Sequence, residues 1–496
     1  MNFKYFFISI SALLLIGASG DRLCMLYNSL EPKSIRQHLT LYALYPEENM
    51  GKKALTDACR LLQIGSLSSG ALNGLISLMN HSPNQPLPSL TETELEELEA
   101  LATHLAHKEL KGHRALNENA ILALSPSEID LARGLFLSQM GNDLTNVRLY
   151  EALIDCMALE ILNRLTPDSA PEEKIHAINR FLFKEKEFKF PPHAVYSQDI
   201  DLYTFLPSVL DTHKGVCLGV SILYLCIGQR LGLELEMVTP PGHIYLRLAR
   251  PEAYLNIETT ARGIHLDSEE YLGINTCALQ TRNIKEVIGL AHFNQASVFW
   301  QRGQYEDAYQ SYEKAKPYLP DDPFLKELSG YVCLLTNRKE EGKALLTSIR
   351  DHVPLHHLTR NTLAADYLDG NVDTAGIEVF FCHTKDDHPS LLAKKKALEE
   401  VLERCPAFRA GQLHLALTWL QLGRAKEALE LLKRYHQAYP EDPEAEYYLA
   451  VLYLQRMDYL KAWKHLHQTE RLLLKKQYYP KILQELRHAL TLQCAE

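Results

Sequence analysis

The chain has 496 residues, enough for about three domains of ordinary size. Its hydrophobic fraction of 46% can fill several cores, and its net charge of -10 without a long basic block argues against a nucleic-acid partner. The ten cysteines form no CxxC pair, which excludes a disulfide scaffold and zinc-type spacing, although an isolated disulfide stays open. The sequence therefore predicts neither a metal nor a cofactor.

The first 20 residues have the pattern of an export signal. Lys4 provides a positive start, residues 5–16 form an apolar run that is short for a bilayer, and residues 18–20 are small, as at a cleavage site. We therefore expect an exported, periplasmic protein or one anchored to a membrane by this segment alone. An uncleaved anchor and a buried N-terminal helix remain the alternatives to cleavage.

The chain up to residue 280 has two parts. Residues 21–85 are predicted to form a helical N-terminal region, and the proline-rich segment 81–88 is predicted to be a linker. Residues 86–280 begin with helical patterns and continue with an apolar helix to Leu231 and two alternating, strand-like runs from His243 and Ala253. Helices followed by strands indicate an α+β domain. The helices expected before that apolar helix cover residues 91–110, 125–140, 146–165 and 172–190.

From residue 288 the sequence repeats with a period of about 34 residues, which is typical of tetratricopeptide repeats. Small residues let the paired helices of each repeat approach, large apolar residues fill the groove, and proline ends the second helix. We predict an α-α superhelix of these repeats at 288–476 and a capping helix at 477–496; an unrelated helical bundle is the alternative. The matching positions, in repeats starting at Gly289, Arg409 and Pro443, are Ala296, Phe299, Gly303, Tyr305, Ala308, Tyr312, Ala315, Pro320; Ala416, Trp419, Gly423, Ala428, Leu432, Pro440; Ala450, Tyr453, Tyr459, Ala462 and Leu466.

Three residues between 215 and 260 form a candidate thiol site. Cys217 lies at the start of an apolar helix, where unpaired backbone N–H groups stabilise a thiolate. His243 follows a Pro-Pro-Gly turn and is the candidate base. Glu258, in the next strand, is the candidate acid that orients the imidazole, with Asn256 on the same strand face as the alternative. Each residue alone is more often structural, so the prediction depends on their combination.

The same segments resemble the transglutaminase-like superfamily, in particular its bacterial SirB-type branch. The resemblance covers about residues 172–280, with a start as early as residue 90 left open. Four stretches are similar to the helix before the core, the linker with the nucleophile helix, the histidine strand and the strand of the acid. In that order they read INRFLF, FLPSVLDTHKGVCLGVSILYLCIGQRLGL, PPGHIYLRL and LNIETT.

This resemblance implies a papain-like α+β core with a triad in which Cys217 is the nucleophile, His243 the base and Glu258 the acid. Tetratricopeptide repeats often follow the core in this branch. The chain departs from the branch in having glutamate where aspartate is usual, and Tyr203 where asparagine is usual. It retains the cysteine that many members of the branch lack.

Two functions of different classes follow from these observations. The first is a thiol hydrolase or acyltransferase of the transglutaminase-like type that acts on amide bonds of a protein or peptide, with the repeats recruiting the protein partner. The second is a catalytically inactive tetratricopeptide scaffold with a vestigial core. Both predict a protein or peptide partner, no nucleic acid, and membrane contact only through the N-terminal segment.

Overall fold

The computed structural model describes residues 20–65, 67–141, 143–191, 204–250, 253–382 and 387–493. Tyr203 and, apart from Gly20, the predicted export signal lie outside these residues. Across the described ranges, no helix has the length and apolarity needed to cross a membrane. The chain divides into two units, and the domain boundaries expected from the sequence remain predictions.

The first unit contains the described residues up to Lys189 together with Leu206–Lys214 and Ile222–Glu234. It is helical, and its most buried helix, Leu144–Leu162, is covered on nearly all sides. The linker predicted at 81–88 is non-helical. The other α-helices assigned to this part of the chain are Gly20–Asn28, Ile35–Leu44, Asn49–Leu61, Ser69–Met79, Glu92–Leu101, Glu118–Leu122, Leu131–Met140, Pro171–Asn179 and Leu206–Thr212.

Three helices predicted in this unit are wrong in extent. The helix expected over 91–110 ends at Leu101, and a short 3-10 helix follows at Ala106–Glu109. The helix expected over 125–140 is a short 3-10 turn followed by Leu131–Met140, because the Asp130 carboxylate accepts backbone N–H groups and starts a new helix. The helix expected over 172–190 becomes a π-helix at Arg180–Glu185 and then ends. There the buried Lys186 ammonium donates to the carbonyls of Met79 and His81, which draws the chain off the helical path.

The second unit begins with a small antiparallel sheet. Its four strands are β1 (Glu236–Thr239), β2 (Tyr245–Ala249), β3 (Tyr254–Ile257) and β4 (Gln280–Arg282), in the order β3-β2-β1-β4. The two strand-like runs of the sequence are β2 and β3, and their antiparallel pairing places Leu246 opposite Ile257. The first turn of the helix Cys217–Arg230, up to Ser221, belongs to this unit as well.

Helical hairpins fill the rest of the second unit, and they confirm the repeat pattern. The small residues at the eighth and twentieth repeat positions, such as Ala296 and Ala308, are completely buried, so the paired helices lie close together. The four clearest pairs are Ile284–Gln301 with Tyr305–Ala315, Pro323–Leu335 with Lys339–Ile349, Arg409–Gln421 with Ala425–Ala438, and Pro443–Gln455 with Tyr459–Leu474. The remaining helices of the unit are Leu363–Leu368, Thr374–Phe381, His388–Arg404 and Lys481–Gln493.

Candidate active site

The thiol of Cys217 lies at the first residue of the helix Cys217–Arg230, partly buried and not in a disulfide. Backbone N–H groups at a helix start have no partner within the helix and carry partial positive charge. The Cys217 thiol interacts with the His243 imidazole, and this interaction contributes to the raised pKa of His243. The position therefore combines a helix N-terminus with a neighbouring base, as thiolate chemistry requires.

His243 is presented by the turn predicted from Pro-Pro-Gly. Its N–H donates to the carbonyl of Pro240 at 3.2 Å, and Gly242 adopts a φ of 72° that favours glycine. The residue lies two positions before β2, and its side chain is 25% exposed. Its Nε2 is 2.6 Å from Oε2 of Glu258.

Glu258 follows β3 directly and is only 3% exposed. Its Oε2 accepts from His243 and from the Tyr271 hydroxyl at 2.6 Å each, and its Oε1 accepts from the hydroxyl and N–H of Thr260 at 2.6 and 3.2 Å. Asn256, the alternative acid, has its side chain bonded to Arg247, Leu266 and Ser268. His243 is therefore paired with Glu258 and not with Asn256.

Opposing effects set the protonation of the pair. Burial disfavours the imidazolium, but hydrogen bonds to Cys217 and Glu258, with their charges, outweigh burial and raise the pKa of His243 to about 9. Burial also raises the pKa of Glu258, yet hydrogen bonds from His243, Thr260 and Tyr271 outweigh it and lower that pKa to about 2. At neutral pH the arrangement is therefore a carboxylate paired with an imidazolium beside the thiol.

A second contact holds the nucleophile helix next to the acid. Ser221, one turn after Cys217, and Thr259, which follows Glu258, share a hydrogen bond of 2.9 Å between their hydroxyls. Both residues are almost fully buried. No sequence motif marks these two residues, although Ser221 is a polar residue in an apolar helix.

We expect Ser221→Ala to lower the stability of the protein by about 1–3 kcal/mol, because the Thr259 hydroxyl would be buried without its partner. The double variant Ser221→Ala/Thr259→Val removes both partners and should recover most of that loss. Urea unfolding of the three proteins measures the difference. Additive losses in the double variant would contradict the role of this hydrogen bond.

Tyr271 completes the candidate site. Its ring stacks on His243 with centroids 5.6 Å apart, while its hydroxyl donates to Glu258. Its ring also stacks with Tyr245 at 4.9 Å. Burial, followed by the hydrogen bond to Glu258, raises the pKa of Tyr271, so the hydroxyl stays a donor at neutral pH. No motif pointed to this residue, which ends a short 3-10 helix, Ser268–Tyr271, 13 residues after Glu258.

A different cluster, in the first unit, has the composition of a metal site. Potential ligand atoms of His107, His113 and Asp130 lie within 4.8 Å of one another. Charge balance argues against a cation there, because buried acids in and around the cluster are already matched by basic side chains. The acids are Asp130, Glu151 and Asp155, and the bases are Lys108, Arg133 and Arg230.

The comparisons with known proteins agree with the site at the level of the domain. Residues 148–284 match the family model described as Transglutaminase-like superfamily. Two curated relatives, both named UPF0162 protein and from two strains of Xylella fastidiosa, are 25% identical over 130 residues. The match covers 25% of this chain and 43% of each relative, so it spans less than half of their length.

Several solved structures are similar to this chain, over part of it or over nearly all of it. The tetratricopeptide protein TTC0263 of Thermus thermophilus is 19% identical, and the match covers 41% of this chain and 98% of that protein, with a TM-score of 0.20. Yeast Tom70 is 12% identical over 98% of this chain and 86% of its own, with a TM-score of 0.22. Scores this low carry no argument, and the repeat assignment depends on the helix pairs themselves. Residues 148–284 are thus a transglutaminase-like domain, followed in the chain by helical repeats of the tetratricopeptide type.

Proposed function

We propose that this chain is a thiol hydrolase or acyltransferase that acts on amide bonds of a protein or peptide. The observation that carries the proposal is the position of His243, whose Nε2 lies 2.6 Å from the Glu258 carboxylate and whose imidazole interacts with the Cys217 thiol at the helix start. A buried carboxylate that holds a histidine beside a nucleophile is the arrangement that nucleophilic catalysis uses on unrelated folds.

The geometry supports a two-step reaction. The Cys217 thiolate attacks the amide carbonyl, and backbone N–H groups at the start of its helix stabilise the oxyanion. The His243 imidazolium protonates the leaving amine, which breaks the C–N bond and leaves a thioester. Water or a second amine then attacks the thioester after giving a proton to His243, and the thiol is released. Glu258 keeps the imidazole oriented and stabilises its charged form.

We propose that the repeats recruit the protein that is modified. Stacked helical hairpins form extended surfaces suited to peptide segments of a partner. The export or membrane anchoring predicted from residues 1–20 is a further proposal, and cell fractionation of the full chain, with and without residues 5–16, tests it.

The test of catalysis is a pair of assays on the purified full-length chain, one for release of ammonia or new amino termini and one for incorporation of a labelled amine into protein substrates. We expect the wild type to register in at least one assay and Cys217→Ala to be inert in both. Cys226→Ala serves as the matched control, because that cysteine is buried in the same helix, away from the first turn. Equal signals from wild type and Cys217→Ala would favour the inactive scaffold.

A further inference from the structure

Tyr271 contacts the candidate site, and the residues next to it in sequence contact the repeats. One side is the candidate site, where the tyrosine stacks on His243 and donates to Glu258. Tyr271 ends a short 3-10 helix, Ser268–Tyr271, and the residues that follow, up to Cys277, form a bent, non-helical segment before β4. We call residues 268–277 the strap. Because Tyr271 touches both members of the charged pair, the placement of the strap governs how that pair is aligned.

Residues at the end of the repeat region contact the strap near Tyr271. The single hydroxyl hydrogen of Tyr478 is shared between the carbonyls of Gly273 and Thr276, each 2.9 Å away. Ile274, only 7% exposed, belongs to the apolar core formed by the last repeat helices. The ammonium of Lys481 forms an ion pair with Glu270, the residue next to Tyr271.

The strap has further backbone contacts with a loop between repeat helices. The N–H of Cys277 donates to the carbonyl of His356, and the N–H of Leu358 donates to the carbonyl of Asn275, both at 2.9 Å. The hydroxyl of Thr359 donates to the Asn275 side chain at 2.8 Å. Polar groups of the strap are therefore satisfied by the repeats, and its conformation depends on them.

We propose that Tyr271 is a positioning residue for the His243–Glu258 pair, and that the C-terminal repeats set its position by holding the strap through Tyr478 and Ile274. The inference builds on the proposed thiol chemistry and adds a role for the repeats beyond recruitment. In this proposal the repeats are part of the machinery that aligns the base.

Two neighbouring tyrosines provide a matched pair of variants. Tyr478→Phe removes the hydroxyl that holds the strap, whereas Tyr479→Phe removes a hydroxyl that donates to Glu470 inside the repeats. In the full-length chain, we would measure the rate of Cys217 alkylation by iodoacetamide from pH 5 to pH 9. At pH 6, Tyr478→Phe should lower that rate by about three- to tenfold, while Tyr479→Phe leaves it unchanged.

The double variant Tyr271→Phe/Tyr478→Phe tests whether Tyr478 affects Cys217 through Tyr271. If Tyr478 acts through Tyr271, adding Tyr478→Phe to the Tyr271→Phe variant should lower the rate of Cys217 alkylation by less than about twofold. Effects that multiply in the double variant, or a Tyr478→Phe profile that matches the wild type, would overturn the proposal.

A second measurement separates this inference from the proposed function. The pKa of His243 can be followed by nitrogen NMR of labelled histidine, with the signal assigned by its loss in His243→Ala. We expect Tyr478→Phe to move that pKa downward from about 9, toward the ordinary value, with no change in Tyr479→Phe. A wild-type thiol that is unreactive below neutral pH would contradict the proposed function alone, whereas an unshifted His243 would contradict the role of the strap.

Discussion

Glu258→Gln is expected to lower the rate of any Cys217-dependent amide reaction by about 10²- to 10⁴-fold. The amide keeps nearly the same shape, but only its oxygen end can accept, so it cannot serve both Thr260 on one side and His243 with Tyr271 on the other. It also lacks the negative charge that stabilises the imidazolium of His243. We therefore expect kcat to fall more than KM rises, because the charge matters most when the imidazolium donates its proton.

Glu269→Gln is the control for this variant, since it removes the same charge from an exposed carboxylate on the nearby strap. A comparable loss in both variants would mean that general electrostatics of the strap, rather than the Glu258–His243 contact, sets the rate. An unchanged rate in Glu258→Gln would contradict the assignment of the acid.

His243→Ala is expected to slow alkylation of Cys217 at pH 6 by about 10²-fold or more. In the wild type the His243 imidazolium, whose pKa is raised to about 9 by Cys217 and Glu258 against the effect of burial, places a positive charge beside the reacting sulfur. Without the imidazole, the thiolate keeps only the helix start, which contributes about 0.3–1 kcal/mol at an exposed site. The control is His176→Ala, an exposed histidine of the first unit.

The sign of the pH dependence follows from the two shifts. The pKa of His243 is raised, so its contribution to stability is complete below its ordinary value of 6.5 and is lost as pH rises through about 9. The pKa of Glu258 is lowered, so its contribution is complete above its ordinary value of 4.5 and is lost as pH falls through about 2. The pair therefore stabilises the fold most between about pH 4.5 and 6.5.

Local signals in the sequence predicted the parts of the site that are local in structure. The start of an apolar helix placed Cys217, a Pro-Pro-Gly turn placed His243, and alternation placed the strand before Glu258. The hairpins of the repeats could be predicted for the same reason, because each small residue packs against a helix that is adjacent in sequence.

Contacts between residues that are far apart in sequence could not be predicted, because no local pattern in the sequence marks them. The hydrogen bond of Ser221 with Thr259 spans 38 residues, and the hydroxyl of Tyr478 lies more than 200 residues from the carbonyls it binds. The strands β1 and β4 have only four and three residues, too few for a clear alternation, and they are set by pairing with each other. These features depend on packing, which periodicity and spacing do not record.

The pH dependence of Cys217 alkylation in the wild-type chain tests the central claim most directly. Labelling is read at that residue by mass spectrometry, once in the folded protein and once in urea, where every cysteine is an ordinary thiol with a pKa of about 8.5. The account predicts that the folded protein reacts rapidly at pH 5.5 and that the unfolded chain reacts slowly there. Equal, slow labelling of Cys217 in both states at pH 5.5 would contradict an activated thiol and leave the repeats as the functional part of the chain.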